Sequence, residues 1–162
     1  MSKQTIAECF AWYSKGIDLA ELGRYEEAIV CYDMVLKIDP RDELTWYCKG
    51  NSLGSLGREE EAILCYDQAL KINPRYADAW CNKGYRLGNL GRNEEAIKCF
   101  DQALKFSPRD AEIWFNKAVA EDELGRWEEA VRSFQQFLAF DRAQKAIQIG
   151  LVRKRIKELE SK

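Results

Sequence analysis

The 162-residue chain contains no histidine. That removes the side chain that most often serves as a general base near neutral pH, and the commonest imidazole ligand for metals. Proline is almost as scarce, occurring only at Pro40, Pro74 and Pro108. The rest is rich in Ala, Leu, Glu, Lys and Arg, which favours helix. No apolar run approaches the roughly 20 residues of a membrane span. Lys3, Glu8, Lys15 and Asp18 interrupt the start of the chain, which is not the pattern of a secretory leader. A cytoplasmic location, with the six cysteines as reduced thiols, is the expectation. Excess charge is also small, formally −2, so the molecule as a whole is not a polyanion binder. The charge is uneven, however. From Arg142 onward there are seven Lys or Arg against two Glu, a net of +5. Everything before Arg142 holds 18 basic and 25 acidic side chains, a net of −7.

What is there is a period. The three prolines are evenly spaced, and the same step relates Gly23, Gly57, Gly91 and Gly125. It also relates Trp12, Trp46, Trp80 and Trp114, and Ala28, Ala62, Ala96 and Ala130. Cutting the chain at 9–42, 43–76, 77–110 and 111–144 aligns all four sets, leaving 1–8 before the array and 145–162 after it. A fixed period of this length marks a stack of repeated supersecondary units. Within each unit an apolar, small-residue helix runs to Leu-Gly, where glycine just past the helix accepts the left-handed conformation. A second helix opens with Glu-Glu-Ala, acidic residues that suit the positive end of its dipole. It closes at or before the proline, which cannot continue a helix. Each unit is therefore expected to be two short antiparallel helices.

The second unit carries Trp46, Gly50, Leu53, Gly57-Arg58, Glu60-Glu61-Ala62, Tyr66, Ala69 and Pro74. This pattern resembles the tetratricopeptide repeat, and the match extends over all four units, 9–144. Lys-Gly at Lys15-Gly16, Lys49-Gly50 and Lys83-Gly84 is similar to bacterial and archaeal members. The fourth unit departs from the pattern: Ala118 replaces Gly, Glu121 stands in place of Leu, and Arg142 in place of Pro. The resemblance implies an all-α, right-handed superhelix of antiparallel helix pairs. It further implies a scaffold or adaptor that binds a protein or extended peptide in a concave groove lined by the first helix of each pair. No enzyme activity, cofactor or metal is expected.

On that reading the groove residues are Tyr13 and Ile17; Tyr47 and Asn51; Asn82, Tyr85 and Asn89; and Phe115, Asn116 and Val119. Ser14, Glu21, Cys48, Ser55 and Cys81 share the same stripe. The aromatics offer large, fairly rigid contact area, and the Asn carboxamides can donate and accept along a peptide backbone. Asp78, Glu112, Asp122 and Glu123 make the C-terminal half acidic, so a neutral or basic segment is expected. Some family members grip chaperone C-terminal carboxylates with a Lys/Asn/Asn/Lys/Arg clamp. The corresponding positions here are Tyr47, Asn51, Asn82, Glu112 and Asn116, or one unit earlier Tyr13, Ile17, Cys48, Asp78 and Asn82. Neither set contains a cation, which argues against that ligand.

Gly16 and Ala28 are expected at close helix–helix contacts, and Tyr32, Tyr66, Phe100 and Phe134 in the seam between helices. Ile149, Val152, Ile156 and Leu159 place an apolar stripe on a helix over 143–160 that would close the open end of the stack. The basic run Arg153-Lys154-Arg155 is expected on its solvated face. Two alternatives use it: self-assembly, with this helix in the acidic groove of another copy, and, less favoured, nucleic-acid binding. Cys31, Cys65 and Cys99 lie one unit apart, and packed helices are about 8–10 Å apart. A disulfide needs Cα atoms within about 7 Å, so these are packing residues. Cys48 and Cys81, on adjacent first helices, come nearer to a pair but are also expected reduced.

Overall fold

The computed structural model describes residues 3–140 and 146–161, which form nine helices. They are α1 (Lys3–Glu21), α2 (Tyr25–Ile38), α3 (Glu43–Ser55), α4 (Glu59–Ile72), α5 (Ala77–Asn89), α6 (Asn93–Phe106), α7 (Ala111–Glu123), α8 (Trp127–Phe140) and α9 (Ala146–Glu160). No strand occurs among the described residues. The expected Arg142 departure and the start of the last helix, 143–145, lie outside them.

Each helix pair is joined by a tight turn that glycine makes possible. Gly23, Gly57, Gly91 and Gly125 have φ between 71° and 74°, a region in which a Cβ would clash. Around Gly57 its own N–H bonds Gly54 O, and Arg58 N–H bonds Leu53 O at 3.0 Å. This doubly bonded cap satisfies carbonyls that a helix end otherwise leaves unpaired. Between pairs, Trp46, Trp80 and Trp114 donate from Nε1 to the carbonyls of Pro40, Pro74 and Pro108 at 2.9–3.0 Å, fixing the second turn. Asp42 and Asp110 then cap α3 and α7, their side chains accepting from the first-turn N–H groups of Leu44 and Thr45, and of Glu112 and Ile113.

The seam within each pair is a glycine against a ring. A Cβ on Gly16, Gly50 or Gly84 would stand 2.5–2.7 Å from the ring of Tyr32, Tyr66 or Phe100. These rings and Phe134 are buried, as are Ala28, Ala62, Ala96 and Ala130. Between pairs a repeated ion pair ties each first helix to the preceding second helix: Lys49 to Asp33, Lys83 to Asp67 and Lys117 to Asp101, each at 2.6 Å. The same ammonium groups lie 5.5–5.6 Å from the rings of Trp46, Trp80 and Trp114. The backbones of the odd-numbered helices α1, α3, α5 and α7 approach one another in sequence more closely than those of successive even-numbered helices do. The odd helices therefore form the inner layer of an all-α right-handed superhelix.

At the C-terminal end α9 packs on α8. Val152, Ile156 and Leu159 are buried against Phe134 and Phe137. Arg155 does not stand free like its neighbours: though its side chain is still 39% exposed, Nε and Nη2 donate to both Asp122 carboxylate oxygens at 2.7 and 2.8 Å. The fourth unit's unusual Glu121 is also explained. It is buried, and the hydroxyl of Ser133 donates to it at 2.6 Å. Units one to three carry Leu with Cys at these two positions, so the fourth exchanges both members of a contact together.

Candidate peptide-binding groove

The inner face is built from side chains on the odd helices. Their polar atoms are largely joined to one another. Asn51 Oδ1 accepts from the Tyr66 hydroxyl and from Asn82 Nδ2, both at 2.8 Å, and Asn82 Nδ2 also approaches the Tyr47 hydroxyl at 3.2 Å. These bonds hold both carboxamides in fixed orientation. The carboxamides expected to grip a peptide backbone are thus joined to one another in a network between units. Asn116 lies beside Cys81, whose thiol is pushed up to about 12 by burial and then by the nearby Glu112 carboxylate. Burial likewise pushes Cys65 and Cys99 up to about 11, and all six cysteines are free thiols.

The aromatic residues divide similarly. Tyr13 packs on Tyr32 with its hydroxyl 3.5 Å from Cys48 Sγ. Tyr47 is held between Tyr66 and Tyr76, at ring separations of 6.0 and 4.8 Å, and Phe115 packs on Phe134 and Phe137. These three are half-buried supports. Tyr85 is 46% exposed and is the open aromatic surface of α5. Ile17 lines a shallow pocket between α1 and α3 with Cys48 and Asn51. Two residues that the sequence reading passed over stand out: Phe10 at 72% and Leu44 at 44% exposure. They occupy the same unit position as Asp78 and Glu112, so this edge of the inner face runs from apolar to acidic along the stack.

Of the four expected acids, Asp78 and Glu112 are exposed, and Asp122 is held by Arg155. Glu123 accepts from Asn93 Nδ2 at 2.8 Å. One unit earlier the same two positions hold Glu59 and Asn89, also at 2.8 Å but with acid and amide exchanged. Between α5 and α7 lies a cavity of about 360 Å³, lined in part by Tyr85, Asn89, Phe115, Asn116, Val119 and Glu123. Six of the groove residues read from the sequence thus meet at one place. Among the described residues no cluster of metal-ligating side chains occurs, and no helix is long and apolar enough to cross a membrane.

Three family models match the chain. Two described as tetratricopeptide repeat cover residues 9–42 and 85–157, and one described as TPR repeat covers 50–91. The chain belongs to the tetratricopeptide-repeat family. Among solved structures, a crystal structure of MamA superposes with a TM-score of 0.80 at 20% identity, covering 84% of this chain and 80% of that one. MamA 41-end from Desulfovibrio magneticus RS-1 gives 0.82 at 19% identity over 95% and 90%. The first TPR of Spaghetti (RPAP3), solved bound to the HSP90 peptide SRMEEVD, gives 0.72 at 23% identity over 74% and 94%. At these identities the likeness is one of fold. No curated protein sequence matches the chain.

Proposed function

We propose that the chain is a protein-interaction adaptor, not a catalyst, and that it binds an extended segment of another protein along the inner face of α3, α5 and α7. The observation that carries this reading is the convergence of Tyr85, Asn89, Phe115, Asn116, Val119 and Glu123 on one solvent-open cavity of that face. Open aromatic area beside fixed amide donors and acceptors suits an extended backbone. The RPAP3 domain, of the same fold, is a precedent for peptide binding. The segment here is neutral or basic, because Asp78, Glu112 and Glu123 face it without cations. Lys49, Lys83 and Lys117 are turned to the even-helix aspartates, and the Arg86 guanidinium lies on the α3 backbone. An acidic tail such as SRMEEVD would meet like charge. Self-assembly through the basic helix is not favoured, since Arg155 is already held within the chain.

A photocrosslinking amino acid at Tyr85 tests the reading against one at Leu64, a 61%-exposed residue of α4. In extract from the source cells the Tyr85 probe is expected to give discrete protein adducts and the Leu64 probe none. Equal labelling at both positions would overturn it.

A further inference from the structure

Resting on the groove reading, we propose that the cavity between α5 and α7 is an arginine pocket, which receives one Arg side chain of the bound protein segment. The chain supplies its own precedent. One unit earlier, between α3 and α5, the equivalent space is filled by the chain's own Arg86. That guanidinium lies flat on Gly54, where a Cβ would come within 2.5 Å of Cζ. Its Nη1 donates to Gly54 O at 3.1 Å and reaches Glu59 at 3.5 Å. Tyr85 lies 5.0 Å from the same group.

Moving every residue one unit along gives the walls of the cavity. Gly54 becomes Gly88, Glu59 becomes Asn93, Arg86 becomes Ala120 and Asn89 becomes Glu123; all four replacements line the cavity. Where Arg86 stood there is now a methyl group, so the space is open, and a Cβ on Gly88 would meet nothing nearer than Asn93 Oδ1 at 3.8 Å. The acceptors that an arginine would use are still present. Asn93 is only 7% exposed and its Oδ1 has no hydrogen-bond partner, a condition that native interiors seldom leave uncorrected. Glu123 Oε2 is taken by Asn93 Nδ2, which leaves Oε1 available. Among the described residues no cation pairs with Glu123. Tyr85, Phe115 and Val119 supply walls for the methylene stem, and a guanidinium stacks on aromatic faces while offering its donors as a fork.

The probe is a randomised octapeptide library selected on the native chain. Selected peptides are expected to share an arginine at one position, and replacing it by citrulline, its neutral isostere, weakens binding about tenfold or more. Against two variants that replacement is expected to change affinity less than about twofold. Glu123→Gln keeps the acceptor for Asn93 and removes the charge. Ala120→Arg fills the cavity as Arg86 fills its own, so its thermal melt is expected at or above that of the native chain. Peptides that crosslink to the Tyr85 probe but carry no fixed arginine, or a citrulline penalty equal on all three proteins, would overturn the pocket and leave the groove reading standing. No selected peptide at all would overturn both.

Discussion

At the scale of single residues the repeats are governed by what a Cβ or a charge meets. A methyl group at Gly50 would press on the buried Tyr66 ring at 2.7 Å. Gly50→Ala is therefore expected to cost about 1–3 kcal/mol in a denaturant melt. Gly150, inside α9, faces open space, and Gly150→Ala is expected to stabilise by about 0.5–1 kcal/mol through helix propensity alone. Glu121 gives the pH-dependent case. Burial raises its pKa above the ordinary carboxylate value, while the Ser133 hydroxyl and Lys117 lower it; Asp101 of α6 and Glu129 of α8 add like charge. A carboxyl raised on folding favours the folded state most when protonated, and that contribution is lost as pH rises through the folded value. Glu121→Gln is thus expected to raise the melting temperature at neutral pH, with the gain shrinking as pH falls toward 4.5. A gain that stays constant with pH would count against this account.

At the scale of elements, the turns and helix pairs were legible because glycine, proline and tryptophan each do one local job, and that job recurs at the same place in successive units. The capping helix was legible for the same reason: Val152, Ile156 and Leu159 fall on one stripe, and all three are buried. What could not be read was Arg155. It sits in a basic run that looks uniform in sequence, yet helical rotation turns Arg155 toward α7 while the Lys154 side chain stays 77% exposed. Truncating the buried contact by Ile156→Ala is expected to cost about 2–4 kcal/mol by urea titration. Arg155→Ala is expected to cost less, since an exposed pair contributes little. A larger loss from Arg155 than from Ile156 would mean that the ion pair, not the apolar seam, holds the end of the stack.

At the scale of the molecule, the sequence pattern groups the side chains of the odd-numbered helices but not the contacts among them. Periodicity told which side chains share the inner face, and six of them do meet at one cavity. It could not tell that Asn51 and Asn82 bond each other across units, that Tyr47 is wedged between two tyrosines, or that Asp122 belongs to α9. The first and last of these join different parts of the stack, and the second depends on Tyr76, which the other units do not carry, so the repeated pattern contains none of them. The exchange of Arg86 for Ala120 was visible in the aligned units but has meaning only once the guanidinium is seen lying on Gly54. The central claim, that the inner face is the binding surface, is tested most directly by amide hydrogen exchange with a library-selected peptide bound. Added protection confined to α3, α5 and α7 is the expected result; protection on α2, α4 and α6, or on α9 alone, would contradict it.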